Sequence, residues 1–231
     1  MAAAKKKTRK ELLKEPDEFL TLSSRFLGWA AKYKKQINMA VLAALTAGVL
    51  ISGYFFYVNQ QEAKAAGLLA QALEKIERLG PGKPTPKTVQ EVSEDFRRIF
   101  SDYDSRSNGN IARLLFANLC YETGDYQQAA ELYKTSLPRF ADQPMIHFQI
   151  LKNLGYTYAA LKDPGTAAGY FEQALAGGAQ SLQDDVLFNL GEIYVQLGQK
   201  DKSADFFKRI LSEHPDSVYA NLIRQKVDGL N

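Results

Sequence analysis

Two histidines, a single cysteine and one pair of adjacent aspartates are the natural starting material for a reactive centre in this chain. His147 and His214 stand far apart and Cys120 has no second cysteine, which rules out an ordinary Cys/His zinc cluster and an intrachain disulfide. No glycine-rich phosphate loop, paired-histidine zinc motif or nucleophile elbow is present. Asp184-Asp185 suggests a cation site, but acids at a helix start also favour the helix dipole, which is the preferred reading. Cys120 lies on an apolar stripe and reads as a small buried hydrophobe, not as a nucleophile. No catalytic residue, metal ligand or cofactor site is therefore expected. A cluster of buried, unpaired carboxylates in the groove would be the observation that revives an enzyme, and a groove of apolar and aromatic residues would count against it. Binding is the function class that remains.

The elements that would position a binding surface are helical throughout. Glu62–Leu79 is rich in Ala, Leu, Gln, Glu and Lys, all strong helix formers. Gly80-Pro81-Gly82-Lys83-Pro84-Thr85-Pro86 breaks it. A second helix is expected over Thr88–Tyr103, with Val89, Val92, Phe96, Ile99 and Phe100 inward. This pair, residues 59–104, is compatible with a degenerate repeat carrying an enlarged turn. Beyond it, residues 105–231 repeat with a period of about 36 to 38. The second copy reads Leu151, Leu154, Gly155, Tyr158, Ala167, Phe171 and Ala174. The third reads Leu187, Leu190, Gly191, Tyr194, Ser203, Phe207, Ile210 and Pro215, and the first Phe116, Ala117, Cys120, Ala129, Tyr133 and Ser136. Small residues recur where two antiparallel helices must cross: Ala117, Gly155 and Gly191 at one place, Ala129, Ala167 and Ser203 at another.

Turn chemistry agrees with these boundaries. Gly124-Asp125 and Asp163-Pro164 suit turns within repeats, with Asp as cap and Pro in the first helical turn. Gly198 suits a left-handed C-cap. Pro215-Asp216-Ser217 opens a last helix, Val218 to about Leu230, that covers the exposed face of the third repeat.

Upstream stands Ile37–Val58, a segment with no charged residue that reaches roughly 33 Å as a helix, enough for a hydrocarbon core. Trp29 and Tyr33 precede it and Tyr54, Phe55, Phe56 and Tyr57 close it, the placing of interfacial aromatic anchors. The long basic head argues against a cleaved signal peptide, so an uncleaved signal-anchor is expected. Arg25, Lys32, Lys34 and Lys35 lie just before the segment and Lys64 just after it, which predicts residues 1–36 in the cytoplasm and residues 59–231 outside. Residues 1–36 carry ten Lys/Arg against four Asp/Glu, so the whole-chain +3 is a local excess facing anionic lipid and not a nucleic-acid signal. Lys5–Lys14 reads as a solvated tail, and Glu15-Pro16-Asp17-Glu18 as a helix start. Phe19, Leu22, Phe26, Trp29 and Tyr33 then share one face, suited to a membrane interface or to another protein. Within the span Ala40, Ala44, Gly48 and Ser52 recur every fourth residue, a stripe that lets a partner helix or a second copy of the chain approach.

The apolar residue, Leu-Gly pair, Tyr, Ala, Phe, Ala and Pro at these offsets resemble the signature of the tetratricopeptide repeat family, over about residues 110–217. The first repeat departs from it, with Arg113 at an apolar position and Cys120 at the usual Tyr, and Ala141 and Ala179 replace the closing Pro. The resemblance implies an all-α chain: an N-terminal transmembrane helix, then a helical solenoid of three repeats with a C-terminal capping helix. It also implies a protein-binding groove lined by the first helix of each pair. Carried onto this chain, its positions are Ile111, Leu114, Asn118, Tyr121 and Glu122 in the first repeat. Gln149, Lys152, Tyr156, Ala159 and Ala160 follow in the second, and Asp185, Phe188, Glu192, Val195 and Gln196 in the third. Tyr121, Tyr156 and Phe188 are the candidate anchors for an extended or helical polypeptide. Some of these positions are alternatively expected to pack against a neighbouring or capping helix.

The order of parts further resembles the YfgM-type single-span bacterial inner-membrane proteins. That implies an adaptor ancillary to the SecY translocon, with translocon subunits, periplasmic chaperones or unfolded polypeptide as partners. The ending His214-Pro215-Asp216-Ser217-Val218-Tyr219-Ala220 is similar to repeat proteins of outer-membrane and cell-wall assembly, which keeps an envelope scaffold open. An organelle import receptor would need the opposite orientation.

Overall fold

A computed structural model describes residues 18–79, 82–177 and 183–228, with side chains from Ser23 to Lys226 within those ranges. The basic tail, the start at Glu15-Pro16-Asp17, the side chains of Phe19 and Leu22, Gly80-Pro81, Ala179 and Leu230 fall outside them. Among the described residues there are ten α-helices, a short 3-10 turn at Leu137–Phe140 and no strand.

Two units divide the chain, residues 1–59 and 60–231. The first contains α1 (Glu18–Lys32) and the beginning of α2, which runs as one helix over Lys34–Leu79. Sequence reading placed a separate helix at Glu62–Leu79; Gln60, Gln61 and Ala63 are good helix formers, and nothing there stops the helix that precedes them. The apolar stretch of α2 is long enough to cross a membrane and is unburied within the molecule.

In the second unit, the end of α2 packs with α3 (Pro86–Asp102) and α4 (Ser107–Glu122). Thr85 caps α3: its hydroxyl accepts from the Thr88 amide while the Thr88 hydroxyl accepts from the Thr85 amide, and Pro86 takes the first turn. Phe96 stacks on Phe116 with centroids 5.3 Å apart, joining this pair to the repeats. Three helix pairs follow, α4 with α5 (Tyr126–Ser136), α6 (Pro144–Ala160) with α7 (Pro164–Ala176), and α8 (Asp184–Gln196) with α9 (Lys200–Glu213). The closing helix α10 spans Ala220–Asp228 and begins two residues later than the sequence suggested, because turns run up to Tyr219.

The expected turns are present. Asp125 and Asp163 accept from the amides of Gln128 (3.2 Å) and Thr166 (3.1 Å), and Gly198 has φ +73°. The small-residue places are also where the helices meet. A Cβ on Gly155 would stand 2.6 Å from the ring of Phe171, and one on Gly191 would overlap the ring of Phe207. Each fully buried ring of the row Phe96, Phe116, Phe171 and Phe207 contributes roughly 1.5–3 kcal/mol of burial.

Arg113, where an apolar residue was expected, is buried to 4% exposure. Its guanidinium donates to the Phe100 carbonyl (2.9 Å) and to the Asp104 carboxylate, and lies over the Phe100 ring at 5.1 Å. Arg139 donates to the Asp104 carbonyl (2.8 Å) and carboxylate (2.7 Å) from the far side. The departure from the repeat pattern is thus the clasp that fixes the α3–α4 turn.

Candidate inner-face binding site

The first helices of the pairs present one row of polar and aromatic groups, and the hydrogen bonds sort it into three parts. Between α4 and α6, the buried Tyr133 hydroxyl donates to Asn118 Oδ1 (2.7 Å). Asn153 Nδ2 donates to the same Asn118 oxygen (3.2 Å) and to the Tyr133 hydroxyl (3.3 Å), while Gln149 Nε2 donates to Asn153 Oδ1 (2.9 Å). Burial pushes the Tyr133 hydroxyl far up, so it stays a donor throughout the physiological range. With Tyr121 and Glu122 these groups line an open pocket of about 280 Å³. Tyr121 meets Tyr126 edge to face at 5.5 Å, which holds its ring at the pocket wall. Leu114 is half-buried against the core beneath.

In the second part the polar atoms pair with one another except for Asp185 Oδ1, a buried carboxylate oxygen with no hydrogen-bond partner among the described residues. Asp185 accepts from Lys152 (3.1 Å) and from the Tyr156 hydroxyl (3.0 Å), and Asn189 Nδ2 donates to the Asp185 carbonyl (2.6 Å) and the Tyr156 hydroxyl (3.3 Å). Tyr156 rests edge-on against Phe171 at 5.2 Å; burial, and then the Asp185 charge, push its hydroxyl far up. In the third part Phe188 stacks on Tyr219 at 4.3 Å, and Glu192 pairs with Lys226 of α10 (2.7 Å).

The predicted positions therefore separate. Asn118, Tyr121 and Gln149 converge on one pocket; Lys152, Tyr156 and Asp185 bridge α6 to α8; Phe188 and Glu192 lie against the C-terminal cap segment. Tyr133, Asn153 and Asn189 were not singled out from the sequence. A signal existed: Asn-Leu-Gly occurs at both Asn153–Gly155 and Asn189–Gly191, with the Asn amide donating to a tyrosine hydroxyl each time.

What this arrangement does chemically is donate and accept hydrogen bonds beside aromatic rings. Cys120 is fully buried, donates to Gln128 Oε1 at 3.3 Å, and has its thiol pushed up to about 12 by burial, the surroundings of an inert sulfur. Among the described residues no group of three His, Cys, Asp or Glu side chains stands close enough to hold a metal. In the first unit, Ala40, Ala44, Gly48 and Ser52 are all exposed. The last three line a shallow depression with Leu45, Val49 and Phe56.

Residues 28–231 match the model of a family described as a tetratricopeptide repeat-like domain. No curated protein matches the chain in sequence. Among solved structures, a tetratricopeptide repeat protein from Parabacteroides merdae is similar at 16% identity and TM-score 0.59, over 72% of this chain and 59% of that one. This chain thus spans less than two thirds of that protein's length. MamA of AMB-1 is similar at 16% identity and TM-score 0.52, covering 73% and 81% of the two chains. At these identities the likeness is one of fold.

Proposed function

The chain belongs to the tetratricopeptide repeat-like domain family, and from that membership we propose that it is a membrane-anchored adaptor without catalytic activity of its own. The observation that carries this reading is the inner-face pocket of Asn118, Tyr121, Glu122, Gln149 and Asn153, whose amides and aromatic rim suit a polypeptide segment. The unburied apolar stretch of α2 serves as the anchor, with the basic head in the cytoplasm and the repeats outside. In the bacterial inner membrane this places the groove beside polypeptides leaving the translocon, within reach of extracytoplasmic chaperones. The stripe Ala40, Ala44, Gly48 and Ser52 contacts a partner span or a second copy.

Affinity purification of the full-length protein from its native membranes in mild detergent tests the proposal. Recovery of translocon subunits and chaperones, lost on deleting residues 105–231, supports it. Recovery of cell-wall or outer-membrane assembly proteins moves the protein to the scaffold role. For the stripe, Gly48→Leu weakens co-purification of membrane partners while insertion is unchanged; unaltered recovery removes that contact.

A further inference from the structure

The helix before the apolar stretch has an aromatic face left exposed by the described residues. Phe26 (65% exposed), Trp29 (52%) and Tyr33 (36%) form a continuous ladder, with centroids 6.0 and 5.7 Å apart. Arg25 and Lys32 lie along one side of this face, next to Trp29, Lys34 and Lys35 follow it, and the Lys32 ammonium lies 5.5 Å above the Tyr33 ring. We infer that α1 is an interfacial helix that inserts this ladder among anionic lipid headgroups of the leaflet bearing the N-terminal head. The inference rests on the reading of α2 as a span.

Two observations select lipid as the occupant. The face consists of rings with an apolar body, two of them with a polar tip, and cations line its Trp29 side and follow its end, the combination that matches a headgroup layer over acyl chains. The head as a whole carries ten Lys/Arg against four Asp/Glu, complementary to anionic lipid. Geometry adds a requirement. The headgroup layer is only about 5–8 Å thick on each side, whereas Phe26 lies roughly 16 Å of helix before Ile37. The ladder can enter the layer only if the chain bends between α1 and α2, and the helix is interrupted there at Tyr33. The lysines then reach phosphate oxygens while the rings fill the space below.

Trp29 is the only tryptophan of the chain, so its fluorescence reports this face alone. The full-length protein is reconstituted into vesicles of phosphatidylethanolamine and phosphatidylglycerol, with brominated lipids labelled either near the headgroup or deep in the chains. The expected result is blue-shifted emission, protection from iodide, and stronger quenching by shallow than by deep bromines. K32Q/K34Q shifts α1 toward water by about fivefold per lysine removed, an effect that salt mimics. Free access of iodide to Trp29 overturns the inference. So does protection from iodide without any bromolipid quenching, which means a protein covers the face, and so does indifference to lipid charge. The variant W29F/V49W separates the two readings. Deep quenching of its tryptophan with no shallow quenching of Trp29 in the natural protein sinks the interfacial helix alone; loss of deep quenching sinks the span.

Discussion

Single residues in this protein are legible where their role is local. Gly191 and Gly155 occupy helix crossings, and the rings of Phe207 and Phe171 fill the space that a side chain would take. Gly191→Ala is therefore expected to lower stability by about 1–3 kcal/mol, read as a urea midpoint of the full-length protein in detergent. Gly169→Ala, in α7 with nothing within 4 Å of the new methyl, should raise it by about 0.5–1 kcal/mol. Equal effects of the two would discard the crossing argument. Other residues act at a distance the sequence does not display. Glu62 of α2 accepts from the backbone amides of Ser107 (2.7 Å) and Asn108 (3.1 Å) and from Asn108 Nδ2 (3.0 Å). It thereby caps α4, whose own N-cap Arg106 makes no side-chain cap bond. Burial raises its pKa, but these hydrogen bonds lower it by more, and Asp104 is lowered in the same way against burial by Arg113 and Arg139. A depressed folded pKa gives stability that is complete above the unfolded value near 4 and disappears as pH falls through the folded one. Glu62→Gln should accordingly cost about 0.3–1 kcal/mol at neutral pH and nothing once both forms are protonated. A deficit that persists undiminished into acid would show that the charge is not what matters.

At the scale of elements, the boundaries within the repeats follow from neighbouring residues alone. Asp125 and Asp163 cap, Pro164 starts α7 and Gly198 closes α8, each acting within a turn of its own position. The exceptions are instructive: α2 runs on to Leu79 and α10 begins only at Ala220. Composition describes how readily a segment is helical, but neighbouring good formers do not mark where one helix hands over to another. The cap is held by the fully buried Ile223, by Tyr219 on Phe188 and by Lys226 on Glu192. Since each repeat touches only its neighbours, Ile223→Ala should release α10 and speed amide exchange in α9 while leaving α6 and α7 protected. Exchange accelerated equally along the whole solenoid would mean that the repeats unfold as one block.

For the molecule as a whole, charge asymmetry around Ile37–Val58 makes a prediction that no contact in the structure bears on. Alkaline phosphatase fused after Asn231 should be active in intact bacteria, and β-galactosidase fused at the same place inactive. The reverse pattern would put the groove in the cytoplasm and remove any extracytoplasmic partner. The sequence by itself determined the helical class, the repeat period, the crossing glycines and the apolar stretch, because each is written in spacings of a few residues or in a recurring offset. Tertiary structure alone decided which inner-face groups are committed elsewhere. Lys152, Tyr156 and Asp185 answer one another, and Phe188 and Glu192 are taken by the cap segment, leaving Asn118, Tyr121 and Gln149 around the open pocket. Those pairings join residues far apart in the chain, so each depends on how one helix pair settles on the next, and no local pattern encodes that.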